Sequence, residues 1–305
     1  MEDPAAAAGA GGSAQPPTIT QILSKSTRYL KEKGSSTPRL DAELLVAEAL
    51  GLSRVELYTN FDQPLNFDEI DHCRELVLRR GKGEPVAYIT GRAYFRNLTL
   101  RVDHSVLIPR PETEHVVEIA LRFLMDREWA PHVPEVLDLG TGSGAIVISL
   151  ALSFPEARYT AGDSSEEALE LARENGRTAD AGQIDFIFSD LFEDLDPLHT
   201  FDLIVCNPPY ISAAEWPTLP VSVRDYEPRE ALYGGEDGLD FYRRLALEAP
   251  QFMRPGGCLV AEIGHDQGPA VTELMGGTGL FSSIDLEPDY AGHDRVLVAL
   301  REDLA

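Results

Sequence analysis

Cysteine and lysine are scarce in this chain, and each shortage closes off a class of function. The three cysteines, Cys73, Cys206 and Cys258, are an odd number at unrelated spacings. That pattern fits neither a disulfide framework nor a thiolate metal site, so reduced, structural thiols are expected. Seven scattered histidines include no pair at helical ligand spacing, and no metal is expected. Lysine occurs only at Lys25, Lys31, Lys33 and Lys82, and 26 basic residues face 51 acidic ones for a formal charge of −25. Affinity for phosphate backbones comes mainly from clustered Lys and Arg, so a nucleic-acid partner is not expected. The same imbalance arises when a whole proteome adapts to high salt, in which case the charge reports habitat and not partner. No apolar run approaches the roughly 20 residues that span a bilayer. The longest, AIVISLALSF over 145–154, reads as a buried helix. The amino terminus, MEDPAAAAGAGGSAQPP, opens with acids where a secretory signal has a basic region. No membrane association and a cytoplasmic location are the expectations.

What is present supports two domains. The 305 residues, 43% hydrophobic, can build two modest cores. Residues 1–17 are low in complexity and read as a flexible tail. Helical signals begin at once: Thr18 with Gln21 forms a capping box ahead of Ile19, Ile22, Leu23 and Leu30 on one face. Thr37 and Pro38 open PRLDAELLVAEALG, which Gly51 can close. Asn66 with Glu69 caps a further helix, and 53–61 adds a short one. The stretch 18–83 therefore reads as a small helical bundle. From 84 to 112 the alternation of Leu98, Leu100 and Val102 suggests a β-hairpin linker, read over 85–109. Helical spacing returns in HVVEIALRFL, and from Pro134 strands and helices alternate: EVLDL, ARYTAGD, IDFIFSD, DLIVCN, GCLVAEIG and RVLVAL. A helix starting at Ser164 and paired with Glu167 follows the second strand. Such alternation predicts an α/β, Rossmann-like domain over 113–305, a mostly parallel sheet with helices on both faces. Ligands in such sheets bind at the carboxyl ends of the strands.

Three of those ends carry suggestive residues. In DLGTGSGAIV, Gly140, Gly142 and Gly144 permit a tight turn and close backbone approach, with Thr141 and Ser143 between them and a helix N-terminus beyond. Gly140, Gly142 and Ala145 also satisfy the dinucleotide fingerprint, so a dehydrogenase stays open here. Asp163 lies about 20 residues on, where a carboxylate accepts ribose hydroxyls. Asp190, next along the rim, can accept from an adenine amine while Leu191 packs on the ring. The fourth end, NPPY, suits a different task. Asn207 and the Pro208 carbonyl, on a segment stiffened by Pro208 and Pro209, can accept both hydrogens of a planar amide or amine, and Tyr210 offers an aromatic face. That arrangement serves an enzyme that methylates a planar nitrogen. A nucleic-acid methyltransferase holding a flipped base, and a protein-binding module that keeps a cofactor without turnover, are the alternatives.

Taken together, VLIPRPETE, DLGTGSGAI, NPPYI, YEPREALYGGEDGLDFYR and EIGHDQG resemble the release factor glutamine methyltransferases. The resemblance covers nearly everything after residue 18. It implies a class I methyltransferase domain, S-adenosylmethionine as cofactor, and methylation of the glutamine side-chain amide in the Gly-Gly-Gln motif of class 1 peptide-chain release factors, by an enzyme expected to be a monomer. By position, Gly140, Thr141, Gly142, Ser143, Gly144, Asp163, Asp190, Leu191 and Asn207 would contact the cofactor. Asn207, Pro208, Pro209 and Tyr210 would hold the glutamine, with Asn207, Pro208 and Tyr210 carrying the chemistry. The helical bundle would recognise the release factor. Leu191 departs from the aromatic residue that the resemblance leads one to expect there, and YEPREAL and EIGHDQG are expected only to pack around the site.

Overall fold

The computed structural model describes residues 16–302, so most of the tail expected over 1–17 lies outside the described residues. The chain divides after Thr90 into two compact units. In the first, α1 (Ile19–Glu32) starts where the Thr18 N–H donates to Gln21 Oε1 at 3.2 Å. Helix α2 (Pro38–Leu50) has Pro38 in its first turn and ends on Gly51 at φ 64°, the left-handed cap that glycine adopts without a Cβ penalty. Helix α3 (Arg54–Thr59) and helix α4 (Phe67–Gly81) both carry complete capping boxes, Ser53 with Glu56 and Asn66 with Glu69. Leu30, Ala42, Leu45, Leu76 and Val77 form one part of the core, and Ile19, Leu23, Val46, Leu57 and Cys73 another.

The hairpin is shorter than the reading of 85–109. Residues Val86–Thr90 form a helical turn, α5, because Pro85 sets the first turn and Ile89 buries against Leu45 and Leu76 of the bundle. Burial outweighs the β preference of Val86, Tyr88 and Ile89. The strands are β1 (Arg92–Phe95) and β2 (Leu98–Arg101), paired antiparallel with Phe95 opposite Leu98, and they belong to the second unit.

The second unit continues with α6 (Glu114–Met125), β3 (Glu135–Leu139), α7 (Ala145–Ser153), β4 (Arg158–Asp163), α8 (Glu166–Thr178), β5 (Ile184–Phe188), β6 (Phe201–Cys206) and the short α9 (Val221–Arg224). It ends with α10 (Asp240–Phe252), β7 (Met253–Glu262), α11 (Gly268–Gly276), β8 (Phe281–Pro288) and β9 (Asp294–Arg301). The sheet order is β5-β4-β3-β6-β7-β9-β8. Its first five strands are parallel, while β9 runs antiparallel to β7 and β8 antiparallel to β9. The last two strands thus correct a simple continuation of the alternating pattern. FSSIDLEP of β8 has weak alternation because it is a half-exposed edge, and the Asp289 carboxylate folds the turn into β9 by accepting from the Ala291 and His293 N–H groups.

Alternate strand residues serve the two faces. Val136, Leu203, Val205 and Val260 pack with α6 and α7; Leu137, Leu139, Ile204, Cys206 and Leu259 pack with α10 and α11. All three cysteines are free and buried, and burial pushes the Cys73 thiol up to about 11. Among the described residues no helix is long and apolar enough to cross a membrane. The direction of strand progression reverses between β3 and β6, where Leu139 pairs with Cys206. The residues after those strands, Gly140 and Asn207, therefore emerge side by side at the switch point of the sheet.

Candidate functional site

A cavity of about 460 Å³ opens at that switch point. Gly140, Thr141, Gly142, Ser143, Asp163, Asp190, Leu191, Asn207, Pro208 and Pro209 all line it. Two of the expected site residues do not. Gly144, at φ 82°, is the residue before α7, and a Cβ there would meet Ile148 Cδ1 at 2.8 Å, so its glycine serves helix packing. Tyr210 borders a smaller adjoining pocket instead, with Leu107, Arg110, Asn207, Pro208 and Ala231. Asn207 and Pro208 line both spaces.

The glycine loop is shaped from beneath by carboxylates. Gly140 and Gly142 sit at φ 67° and 54°, and a Cβ on either would meet no atom within 4 Å. Below them Asp138 is wholly buried. Its Oδ2 accepts from Thr141 Oγ1 at 2.8 Å and the Val147 N–H at 3.2 Å, while Oδ1 has no partner among the described residues. Burial pushes its carboxyl up to about 7, only partly offset by those two donors. Asp163 accepts from the Gly142 N–H at 2.8 Å and the Ser165 N–H at 3.0 Å, which ties the loop to the end of β4. Burial raises its pKa too, against the pull of those backbone donors. The cap of α8 is Ser165, accepting from the Ala168 N–H, and not Ser164; the Asp163 carboxylate already turns the chain, so the cap falls one residue later.

Farther along the rim, Asp190 is held by Arg244 at 2.7 Å, and the same guanidinium contacts Glu193 and Glu248. Leu191 adopts φ 52°, a left-handed conformation that is costly for a residue with a branched side chain. Ser189 locks that turn: its hydroxyl donates to the Leu191 carbonyl and accepts from the Asp194 N–H.

The NPPY segment is braced by residues whose roles were not visible from composition or periodicity. Asn207 Nδ2 donates to Thr113 Oγ1 at 3.1 Å, and the Thr113 hydroxyl donates to Glu262 Oε2 at 2.6 Å. Glu262 Oε1 accepts from the Tyr210 hydroxyl at 3.3 Å. Burial raises the pKa of both Glu262 and Tyr210. Gln267 Nε2 donates to the Tyr210 and Gly238 carbonyls, while its Oε1 accepts from the Gly264 N–H. A Cβ on Gly234 would lie 2.6 Å from the Pro209 carbonyl oxygen and one on Gly238 2.4 Å from that of Tyr210, so YGGEDG is glycine-rich to let two backbones touch. Glu227 accepts from the Ile108 N–H and from Arg110, fixing VLIPRP to YEPREAL. The motifs expected only to pack are thus the hydrogen-bonded frame of NPPY. The signal was available in the sequence as polar residues inside apolar runs, such as Glu262 ending CLVAE.

The chain matches the family described as PrmC N-terminal domain over residues 21–91 and the methyltransferase small domain over 114–218. It is 43% identical over 285 residues to the release factor glutamine methyltransferase of Rhodopirellula baltica, covering 92% of this chain and 96% of that protein. Identity to the enzyme of that name from Geobacter sulfurreducens is 45% over 280 residues, covering 92% and 95%. A solved methyltransferase from Pyrococcus furiosus shares the fold, with a TM-score of 0.50 at 19% identity over 75% of this chain and 98% of that one. On the glycine loop and NPPY set side by side, and on identity that runs through both units, the chain belongs to the release factor glutamine methyltransferases.

Proposed function

We infer that this protein transfers a methyl group from S-adenosylmethionine to the side-chain amide nitrogen of the glutamine in the Gly-Gly-Gln motif of class 1 peptide-chain release factors. The observation that carries this reading is the pairing of Leu139 with Cys206, which sets the glycine loop and NPPY on one cavity. The residues present fit the cofactor. Open space lies over Gly140 and Gly142, the carboxylates of Asp163 and Asp190 are poised as hydroxyl and amine acceptors, and Leu191 supplies an apolar surface. When bound, S-adenosylmethionine supplies an electrophilic methyl on a positively charged sulfonium.

The chain's own contribution is positioning. Asn207 Oδ1 and the Pro208 carbonyl accept the two N–H groups of the glutamine amide and aim its nitrogen. Holding two reactants in near-attack geometry removes on the order of 7–11 kcal/mol of barrier. Both acceptors bind more strongly as that nitrogen gains positive character, so they favour the transition state over the ground state. The methylated amide sheds its proton afterwards, and no histidine or lysine is assigned as a base. The helical region 18–83 is proposed to recognise the body of the release factor, with 84–112 as linker and 113–305 as the catalytic domain. A monomer in the cytoplasm is the proposed working form, and the acidic charge supports a protein substrate over nucleic acid. Replacing Asn207 with Ala tests the clamp. Turnover on release factor should fall about 10²- to 10³-fold, as for removal of one transition-state hydrogen-bonding group, with cofactor affinity lowered far less. Methylation near the wild-type rate would sink the assignment.

A further inference from the structure

The clamp proposed above requires that Asn207 present its oxygen, and not its NH₂, to the substrate. An asparagine side chain is nearly symmetric in shape, so something must fix which end faces the cavity. We propose that the buried relay Glu262–Thr113 sets the orientation of the Asn207 amide, and through it the enzyme's preference for glutamine over glutamate; this rests on the methyl-transfer reading. Neither Thr113 nor Glu262 belongs to NPPY, and both are positioning residues.

With Glu262 ionised, the hydrogen-bond directions leave one consistent arrangement. Glu262 is 1% exposed and Thr113 4%, so solvent does not relax either group. Two hydroxyls, Tyr210 and Thr113, converge on the two oxygens of Glu262 at 3.3 and 2.6 Å. A carboxylate can only accept. The Thr113 proton is therefore committed to Glu262, and its oxygen has only lone pairs left for Asn207 at 3.1 Å. The asparagine must turn its NH₂ toward Thr113. The opposite flip would set two acceptors, Asn207 Oδ1 and Thr113 Oγ1, against each other with no proton between them. With the NH₂ so occupied, Oδ1 is the end left for a ligand, and among the described residues no group donates to it. An acceptor there matches a glutamine amide and repels a glutamate carboxylate, since burying an unpaired or like-charged polar contact is costly.

The relay is reversible by chemistry at Glu262. In a Glu262→Gln variant the Tyr210 hydroxyl still donates to the oxygen on its side, which directs the introduced NH₂ at Thr113. Thr113 then accepts from it and donates to Asn207 Oδ1. The Asn207 NH₂ is turned to the ligand, and the site becomes a donor that suits a carboxylate.

The test measures calorimetric affinity for a Gly-Gly-Gln peptide and for its Gly-Gly-Glu counterpart, with turnover on release factor, in full-length wild type and variants. Thr113→Val removes the hydroxyl at nearly constant volume. It should lower kcat at least 10-fold and erode the Gln-over-Glu preference with cofactor Kd close to wild type, and because Glu262 Oε2 loses its buried donor the melting temperature falls, so kcat and Kd are read well below the variant's unfolding transition. Thr113→Ser restores the hydroxyl and should recover most of both. Glu262→Gln should shift the preference at least 10-fold toward the Glu peptide. Unchanged kcat and preference in Thr113→Val would overturn the proposal, as would a Thr113→Ser variant no better than Thr113→Val. The threonine pair decides the matter even if Glu262→Gln does not fold. A silent Thr113→Val beside an inactive Asn207→Ala refutes the relay alone, whereas an active Asn207→Ala refutes the clamp on which it rests.

Discussion

Asp138 is a place where stability has been given up, and Asp138→Asn should recover some of it. The side chain is completely buried, one oxygen has no partner among the described residues, and burial pushes the carboxyl from 3.8 up to about 7. In the unfolded chain the group loses its proton near its ordinary value. The folded protein therefore holds a proton that the unfolded chain has released throughout the window from 3.8 to about 7. The favourable contribution is fully present below that window and is lost as pH rises through it. A difference of roughly three pK units at about 1.4 kcal/mol each amounts to about 4 kcal/mol. An amide does not titrate, and its oxygen can keep the bonds from Thr141 and Val147. Urea unfolding of wild type and variant, free of cofactor, should show the variant gaining relative stability by up to about 1.4 kcal/mol per pH unit between pH 4 and 7, then levelling off. The comparison isolates Asp138 from the other carboxylates, such as Glu43, whose partners Tyr58, Arg39 and Arg54 overcome the cost of burial and hold it down at about 2. A stability difference that is flat with pH would refute the reasoning.

Two further substitutions separate the parts of the site. Asp163→Ala removes the acceptor that ties Gly142 and Ser165 together as well as the hydroxyl acceptor; at about 1.5–3 kcal/mol per hydrogen bond to a charged group, cofactor Kd should rise on the order of 10²-fold, and an unchanged Kd by calorimetry would contradict it. Gly142→Ala places a Cβ at φ 54° with open space around it, so the expected cost is strain of about 1–2 kcal/mol, read as a melting temperature several degrees lower. A stabilised Gly142→Ala protein would show that the loop is not held in the left-handed region.

Much of this architecture was legible because local signals and burial agree. The capping boxes at Thr18 and Asn66, the stop at Gly51 and the apolar strands β3, β6 and β7 each state one structure, and the chain adopts it. Where they disagree, tertiary burial decides: α5 takes β-prone residues into a helix because Ile89 completes a helical core. Strand β8 was hidden because an edge strand with a wet face lacks the apolar run that marks its neighbours. The cavity-lining residues Asp163, Asp190 and Asn207 could be read from their places at strand ends, since a parallel sheet brings those ends together. For Thr113, Glu227, Glu262 and Gln267 the sequence marks at most a polar residue in an apolar run and not its partner, because the partners lie far away in sequence: 149 residues separate Thr113 from Glu262. No local period encodes such a contact.

The central claim is the identity of the nitrogen that is methylated. Incubation with labelled S-adenosylmethionine and, separately, a class 1 release factor, duplex DNA and RNA measures it directly. Label confined to the Gly-Gly-Gln peptide of the release factor is the expected result. Label on nucleic acid, or cofactor binding with no label on any of the three, would contradict the account.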